Sequence, residues 1–205
     1  MLTGLLRRYP LPIAFMSLLG AMSAVYASAL SGSDQRFLLH WSSTNLANLP
    51  VRPFSTLVTS AFVTEDPIVV WAVLTTLGLV FLVHRFGNRR SFLLVGTTHV
   101  LATLVSEGVV ALRLFAHDAP AALRHIVDVG PSYVTTAALV AVAAYGRQRW
   151  ERIAGLLGFL FLAPFLFEGL TGLDVAAVGH LVSVLLGLLI GYLMILRERA
   201  VRLKV

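Results

Sequence analysis

The 205-residue sequence contains no cysteine and few charged residues. Without cysteine the chain can form no disulfide, no thiolate nucleophile and no cysteine-based metal site. Only 13% of the residues are charged and 58% are hydrophobic, whereas soluble domains carry about 25% charged and about 45–50% apolar residues. A soluble fold of this size cannot bury so much apolar surface, so the composition indicates an integral membrane protein. The net charge of +6 is interpreted as an attraction to anionic lipid and not as nucleic-acid binding.

Six apolar stretches are candidates for membrane spans, since a spanning helix takes about 20 residues. They are Leu11–Leu30, Pro67–Val83, Ser91–Leu114, Ser132–Tyr145, Ile153–Phe167 and Val175–Leu196. The first resembles a signal peptide because Arg7 and Arg8 precede it, but it is long for that role and five more stretches follow. The sequence therefore predicts one all-α domain over residues 1–205, with six transmembrane helices and a large first outer loop at about 31–64.

The positive charges are unevenly distributed between the two sides of the predicted bundle. With the N-terminus inside, twelve of the sixteen Lys and Arg residues fall on the inner side, from Arg7 to Lys204. The four on the outer side are Arg36, Arg52, Arg113 and Arg124. Because cytoplasmic loops carry the excess of Lys and Arg, we expect both termini to face the cytoplasm.

The fourth stretch, Ser132–Tyr145, is too short to cross a bilayer. Its 14 residues give about 21 Å of helix, against about 30 Å of hydrocarbon. Pro131 suits the first helical turn, and Gly130 permits a tight turn before it. Ser132 then lies inside the membrane, at the positive end of a helix with unpaired N–H groups. Irregular backbone at that depth must line a protein-enclosed, wet cavity, so we expect a cavity that opens outward.

A histidine on the last stretch lies at the same predicted depth as this serine. His180 follows Val175 by five residues, which places it about 8 Å below the outer surface. Beside it, small residues that allow close helix approach recur every fourth position: Gly179, Ser183, Gly187 and Gly191. The facing helix could be Ser132–Tyr145, with its small Ala137, Ala138, Ala141 and Ala144. Ser132 and His180 could then form a nucleophile–base pair, with the helix amides stabilising an oxyanion.

The motifs Gly130-Pro131-Ser132-Tyr133 and Gly179-His180, the latter followed by Gly187 and Gly191, resemble those of the rhomboid intramembrane serine protease family. The chain is most similar to a bacterial rhomboid-like branch, over roughly residues 11–196. The resemblance implies a rhomboid-like bundle with Ser132 as the nucleophile and His180 as the general base, without an acidic third residue. It also implies a bacterial plasma membrane location and a transmembrane protein substrate or client. No cofactor is expected.

The chain departs from the family pattern at two places. Tyr133 stands where the family usually has glycine after the serine, so a bulky ring lies beside the predicted nucleophile. The family's second span supplies a His and an Asn to the oxyanion site, but Pro67–Val83 contains neither. When Phe62 is aligned with the aromatic residue that precedes that span, Val69 and Val73 occupy those positions. Loss of one oxyanion donor typically costs about 2.7–4 kcal/mol.

Two functions therefore remain open from the sequence. The first is an intramembrane serine protease, and the second is a catalytically inactive pseudoprotease that binds transmembrane clients without cutting them. A small transporter or channel is disfavoured, because the sequence shows no inverted repeat and no second broken helix.

Two more polar residues, His99 and Glu107, lie in the third stretch. They are eight positions apart, so they share one helix face at a separation of about 12 Å. One hypothesis is a polar relay, in which Glu107 acts as a donor or orienter near the cavity. The other is hydrogen bonding between helices, with Thr75, Thr76 or Thr103. Asp128 is interpreted as a cap or loop acid, and no His, Asp and Glu spacing resembles a zinc site, so no metal is expected.

Overall fold

The chain is all-helical over the residues that the structure describes. The computed structural model describes residues 2–203, which form nine α-helices and two short 3₁₀ turns. The helices are α1 (Leu2–Arg8), α2 (Pro10–Ser28), α3 (Gly32–Ser42), α4 (Pro53–Thr59), α5 (Ile68–Phe86), α6 (Asn88–Phe115), α7 (Ser132–Tyr145), α8 (Arg149–Leu166) and α9 (Val175–Arg202). Lys204 and Val205, at the predicted cytoplasmic C-terminus, lie outside the described residues.

Four helices, α2, α5, α6 and α9, are long and apolar enough to cross a membrane. The shorter apolar helix α7 has the bounds that the sequence predicts. The fifth predicted stretch forms α8, which begins four residues earlier than expected, at Arg149. The all-helical class is confirmed, while six as the number of spans stays a prediction.

Helix α7 lies at the centre of the bundle. Every residue from Tyr133 to Val142 is buried, and α5, α6, α8 and α9 all contact this helix. The neighbouring helices approach closely where they present glycine. A Cβ atom at Gly155 of α8 or at Gly187 of α9 would lie only 2.9 Å from backbone atoms of α7. Glycines therefore allow α8 and α9 to pack on α7 at near-contact distance.

The first loop, predicted at about 31–64, contains two helices, α3 and α4. It is bonded to the segment that leads into α7. The Thr44 N–H donates to the Asp128 carbonyl at 3.2 Å, and the Gly130 N–H donates to the Ser60 carbonyl at 2.7 Å. These bonds between residues distant in the sequence fix the position at which α7 begins.

The opposite end of the bundle carries most of the arginines, and we call it the basic end. There α5 and α8 are joined by the pair of His84 Nδ1 and Glu151 Oε1, which are 2.5 Å apart. Arg85 and Arg90 both bond to Glu198 of α9, at 2.9 and 2.6 Å. The helix ends at this side of the bundle are thus held together by charged groups.

Candidate functional site at the start of α7

The turn before α7 requires glycine. Gly130 has a φ of +121°, which favours a residue without a Cβ atom. Pro131 follows, and Ser132 is the half-buried first residue of α7. The N–H of Thr135 donates to the Pro131 carbonyl at 2.9 Å, so the N–H groups of the three residues before it have no acceptor within the helix. These groups make the start of α7 electropositive.

His180 is held by a hydrogen bond to the end of α8. Its Nδ1 lies 2.8 Å from the carbonyl oxygen of Leu166, and because a carbonyl only accepts, Nδ1 carries the proton. Leu166 is the last residue of α8, where carbonyl groups need a donor from outside the helix. In the neutral imidazole Nε2 is then the basic nitrogen, and it is buried without a hydrogen-bond partner. This tautomer is the one that a general base requires.

Ser132 lies on the face of α7 that packs on α8, and His180 is bonded to the end of α8. Ser132 precedes Leu139 by seven residues and Ala143 by eleven, so the three share one face of α7. That face packs on α8, because Leu139 and Ala143 lie against two glycines of that helix. His180 reaches the same helix through Leu166. No hydrogen bond joins the two side chains, since Nε2 of His180 has no partner.

Tyr133 is seated between α7 and α9. Its O–H lies 3.1 Å from both carboxylate oxygens of Asp128. Its ring meets the imidazole of His180 edge to face, with the centroids 5.2 Å apart. The absence of a side chain at Gly179 makes room for the ring, because a Cβ atom there would overlap it. The tyrosine thus occupies the space next to the candidate base.

Asp128 holds this tyrosine from the loop before α7. Besides the Tyr133 hydroxyl, its carboxylate accepts from Thr44 Oγ1 at 3.2 Å, and its N–H donates to Ser43 Oγ at 2.9 Å. Burial raises the pKa of Asp128 to about 6, although its hydrogen bonds from Tyr133 and Thr44 favour the charged form. Asp128 is therefore a loop acid, and it bonds to a side chain of α7 and to no N–H group at the start of that helix.

Comparison with known families extends over nearly the whole chain. A family model described as rhomboid-like protein matches residues 5–200. The chain belongs to the rhomboid-like protein family. Comparison with curated proteins and with solved structures gives no significant match. Family membership, together with the apolar helices, makes this a rhomboid-like multi-pass membrane protein.

Val69 and Val73, which the alignment from Phe62 puts at the family's His and Asn positions, do not face α7. Val69 and Val73 are 68% and 58% exposed on α5. The face of α5 that meets α7 carries Thr75, whose Oγ1 lies 2.6 Å from Oγ1 of Thr135. The alignment from Phe62 therefore assigned the oxyanion positions to the outer face of α5.

His99 and Glu107 are both buried in α6, but their contacts differ from those expected. Nε2 of His99 lies 2.9 Å from the carbonyl oxygen of Leu57 and 3.3 Å from Ser60 Oγ. Both carboxylate oxygens of Glu107 are buried without a hydrogen-bond partner. His99 therefore bonds to another helix, as the second hypothesis expects, but its partners are Leu57 of α4 and the adjacent Ser60 and not the expected threonines.

The small residues of α9 meet α7 along its length. The Cβ position of Gly187 lies 3.0 Å from Cα of Ala137, and that of Gly191 lies 2.6 Å from the ring of Tyr145. Ser183 donates its hydroxyl to the Gly179 carbonyl at 2.8 Å within its own helix. The contact with α7 thus depends on the absence of side chains on one face of α9.

Sequence reasoning missed the polar residues that surround Tyr133. Thr44 and Ser43 come from the end of α3 and contact Asp128, 84 and 85 positions away. No local pattern marks such pairs, and only the position of Asp128 two residues before Gly130 was a signal. Within residues 2–203 no group of three or more His, Asp or Glu side chains converges as metal ligands would.

Proposed function

We propose that this rhomboid-like protein is an intramembrane serine protease with Ser132 as the nucleophile and His180 as the general base. The observation that carries the proposal is the bond from Nδ1 of His180 to the Leu166 carbonyl. It leaves Nε2 as a basic, buried nitrogen without a partner. A base that is fixed by a backbone carbonyl needs no acidic third residue to set its tautomer.

In the proposed reaction, Nε2 of His180 takes the hydroxyl proton of Ser132 while Oγ attacks the carbonyl carbon of the scissile peptide bond. The N–H groups at the start of α7 donate to the oxyanion of the tetrahedral intermediate. The C–N bond then breaks, and the imidazolium returns its proton to the leaving amine. Water hydrolyses the resulting ester by the same sequence of proton transfers, which restores the serine hydroxyl and the neutral histidine.

The substrate of this reaction is a transmembrane protein whose helix is locally unstable, since only an unwound segment exposes its peptide carbonyls to a side chain. The start of the short helix lies within the predicted bilayer, so a substrate that spans the same bilayer is at the depth of the site. We place the protein in the bacterial plasma membrane with both termini in the cytoplasm, in accordance with the distribution of Lys and Arg.

The second candidate is a pseudoprotease that binds transmembrane clients without cutting them. The position of Tyr133 favours this function, because its ring lies against His180 and its hydroxyl is hydrogen-bonded to Asp128. The composition of α5 also favours it, since residues 68–83 include no His or Asn that could add an oxyanion donor to the site. In this case Ser132 and His180 contribute to client binding and perform no chemistry.

A serine-directed phosphonate probe distinguishes the two functions. We expect covalent labelling of the wild-type protein in lipid nanodiscs, and its loss in both Ser132→Ala and His180→Ala. Ser28→Ala serves as the control, because that exposed hydroxyl at the end of α2 bonds only to its own helix. Labelling that survives in Ser132→Ala excludes this nucleophile. A folded wild type that retains a client peptide but takes up no probe supports the pseudoprotease.

A further inference from the structure

A cavity of about 840 Å³ lies at the basic end of the bundle. Its walls come from the end of α5, the connection between α7 and α8, and the last turns of α9. The basic and aromatic side chains that line it are Arg85, Arg147, Arg152, Arg199, Tyr145 and Tyr192. It lies about 20 Å from Ser132, at the other end of α7, so the proposed protease site does not account for it.

The cavity is positively charged. Glu198 is the acidic residue of its wall, but that carboxylate is already bonded to Arg85 at 2.9 Å and to Arg90 at 2.6 Å. Arg147 and Arg199 are exposed and form no salt bridge within residues 2–203. Two guanidinium groups are therefore available to a ligand, and the nearest carboxylate does not neutralise them.

Two residues shape the cavity from the α7 side. Arg152 is oriented by its Nε–H, which donates to the Gly146 carbonyl at 2.7 Å. The Tyr145 hydroxyl donates to the Leu188 carbonyl at 2.8 Å, and its ring lies in the space left by Gly191. This ring separates the cavity from the core of the bundle, so a ligand reaches it from the membrane surface or from water.

The cavity opens at the level of the lipid headgroups. About 20 residues of helix cross the hydrocarbon, so α9, which begins at Val175, leaves the hydrocarbon near residue 195 and carries Arg199 into the headgroup region. Tyr192 is 50% exposed and Trp150 is 53% exposed at the same end. Tyrosine and tryptophan with one exposed side are typical of the membrane–water interface.

An apolar surface leads from the cavity towards the middle of the membrane. Leu185, Leu189 and Leu193 recur every fourth residue on α9, and each is more than half exposed. This leucine ridge is oriented along the helix, as an acyl chain in the adjacent leaflet would be. Leu189 and Leu185 precede the cavity residue Tyr192 by three and seven positions, so they share its face of α9. The charged cavity and the apolar ridge thus adjoin, as the two parts of a phospholipid do.

We propose that this cavity binds the phosphate group of an anionic phospholipid, whose acyl chains lie along the leucine ridge. The planar guanidinium groups of Arg147 and Arg199 donate paired N–H groups to phosphate oxygens. Inorganic phosphate offers the same oxygens but nothing that contacts the ridge, so the ridge favours the lipid as the source.

The test uses the full chain in a neutral detergent and measures its unfolding temperature during titration with short-chain phosphatidylglycerol, short-chain phosphatidylcholine or inorganic phosphate. The test variant is the double substitution Arg147→Gln with Arg199→Gln. The matched control is Arg36→Gln with Arg124→Gln, which removes the same charge from two exposed residues at the opposite end. A third variant, Arg147→Lys with Arg199→Lys, keeps the charge of the cavity.

We expect phosphatidylglycerol to stabilise the wild type at concentrations at least tenfold below those of phosphatidylcholine. The Gln variant should need at least tenfold more phosphatidylglycerol than the wild type for the same stabilisation. The control pair should need no more than the wild type, and the Lys pair should need an intermediate amount. Equal effects of the two lipids, or an equal loss in the control pair, would overturn the proposal. Stabilisation by inorganic phosphate at the same concentration as phosphatidylglycerol would assign the cavity to a soluble phosphate and overturn the lipid assignment.

Discussion

The ring of Tyr133 occupies the space that a side chain at Gly179 would fill. A Cβ atom at Gly179 would overlap the tyrosine hydroxyl and the ring carbon that bears it. The ring has little freedom to move away, because its O–H is bonded to Asp128 and its edge meets His180. The pairing of a glycine on α9 with a tyrosine on α7 therefore determines the shape of the site.

Gly179→Ala should destabilise the protein by about 1–3 kcal/mol, the usual cost of overpacking a buried contact. The added methyl group either displaces the tyrosine ring or separates α7 from α9. Thermal unfolding in detergent measures the effect, with Gly108→Ala as the control, since a Cβ atom there meets open space. If Tyr133 is the obstacle, Gly179→Ala should be nearly neutral in a Tyr133→Ala background. An equal cost in both backgrounds would locate the clash elsewhere.

Tyr133→Gly should increase labelling by the phosphonate probe, because it restores the usual family motif and removes the ring beside His180. The gain should disappear when Ser132→Ala or His180→Ala is added. The combination of both alanines should be no worse than either one, since residues that act as one unit are strongly non-additive. Labelling that falls in Tyr133→Gly, in a protein that still unfolds cooperatively, would show that the tyrosine assists the site.

Asp128 should make the stability of the protein depend on pH. Burial raises the pKa of this carboxyl to about 6 in the folded chain, above its usual value near 3.9 in an unfolded chain. The folded state therefore binds the proton more tightly, and its contribution to stability is present below about pH 4 and is lost as the pH rises through about 6.

Asp128→Asn removes this ionisation and keeps an acceptor for Tyr133 and Thr44. The unfolding temperature should fall between pH 4 and pH 7 in the wild type and change less in the variant. Because the charge of Asp128 also acts on Glu107 of α6, the difference between the two proteins measures the ionisation of Asp128 together with its repulsion of Glu107. Identical pH profiles of the two proteins would show that the ionisation of Asp128 does not cause the pH dependence of stability.

A reporter that is active only in the cytoplasm tests the predicted orientation. Fused after Val205 or inserted between Gly87 and Arg90, it should be active, because these segments belong to the side with twelve of the sixteen Lys and Arg residues. Inserted between Ala116 and Ala122, it should be inactive. Activity at the latter site would refute the orientation with both termini inside.

The sequence predicted α7 and the turn before it because their signals are local. The apolar stretch itself has the bounds of the helix, Ser132–Tyr145. Gly130 has a positive φ, a conformation that glycine readily adopts. The family resemblance rested on similarly short motifs and is confirmed by the match over residues 5–200. Local signals of this kind need no knowledge of which helices become neighbours.

The contacts around Tyr133 and His99 could not be predicted in the same way. They join α6 and the segment before α7 to the first loop across 39 to 85 positions, and neither partner has a pattern that identifies the other. The orientation of α5 about its own axis could not be predicted either. An alignment from Phe62 only counts residues and does not determine which face of the helix meets α7. Val69 and Val73 were therefore assigned to the site, although they lie on the exposed face.

The hydrogen bond between His180 and Leu166 makes the tautomer of a histidine on α9 depend on the position of α8. Pro164 lies within the last turn of α8, where it removes a backbone donor and weakens the helix. An outward tilt that moves Leu166 by about 1 Å breaks its hydrogen bond with Nδ1. The imidazole then loses the contact that specifies its tautomer. The position of α8 therefore determines the tautomer of His180, since the last carbonyl of that helix holds the Nδ1 proton.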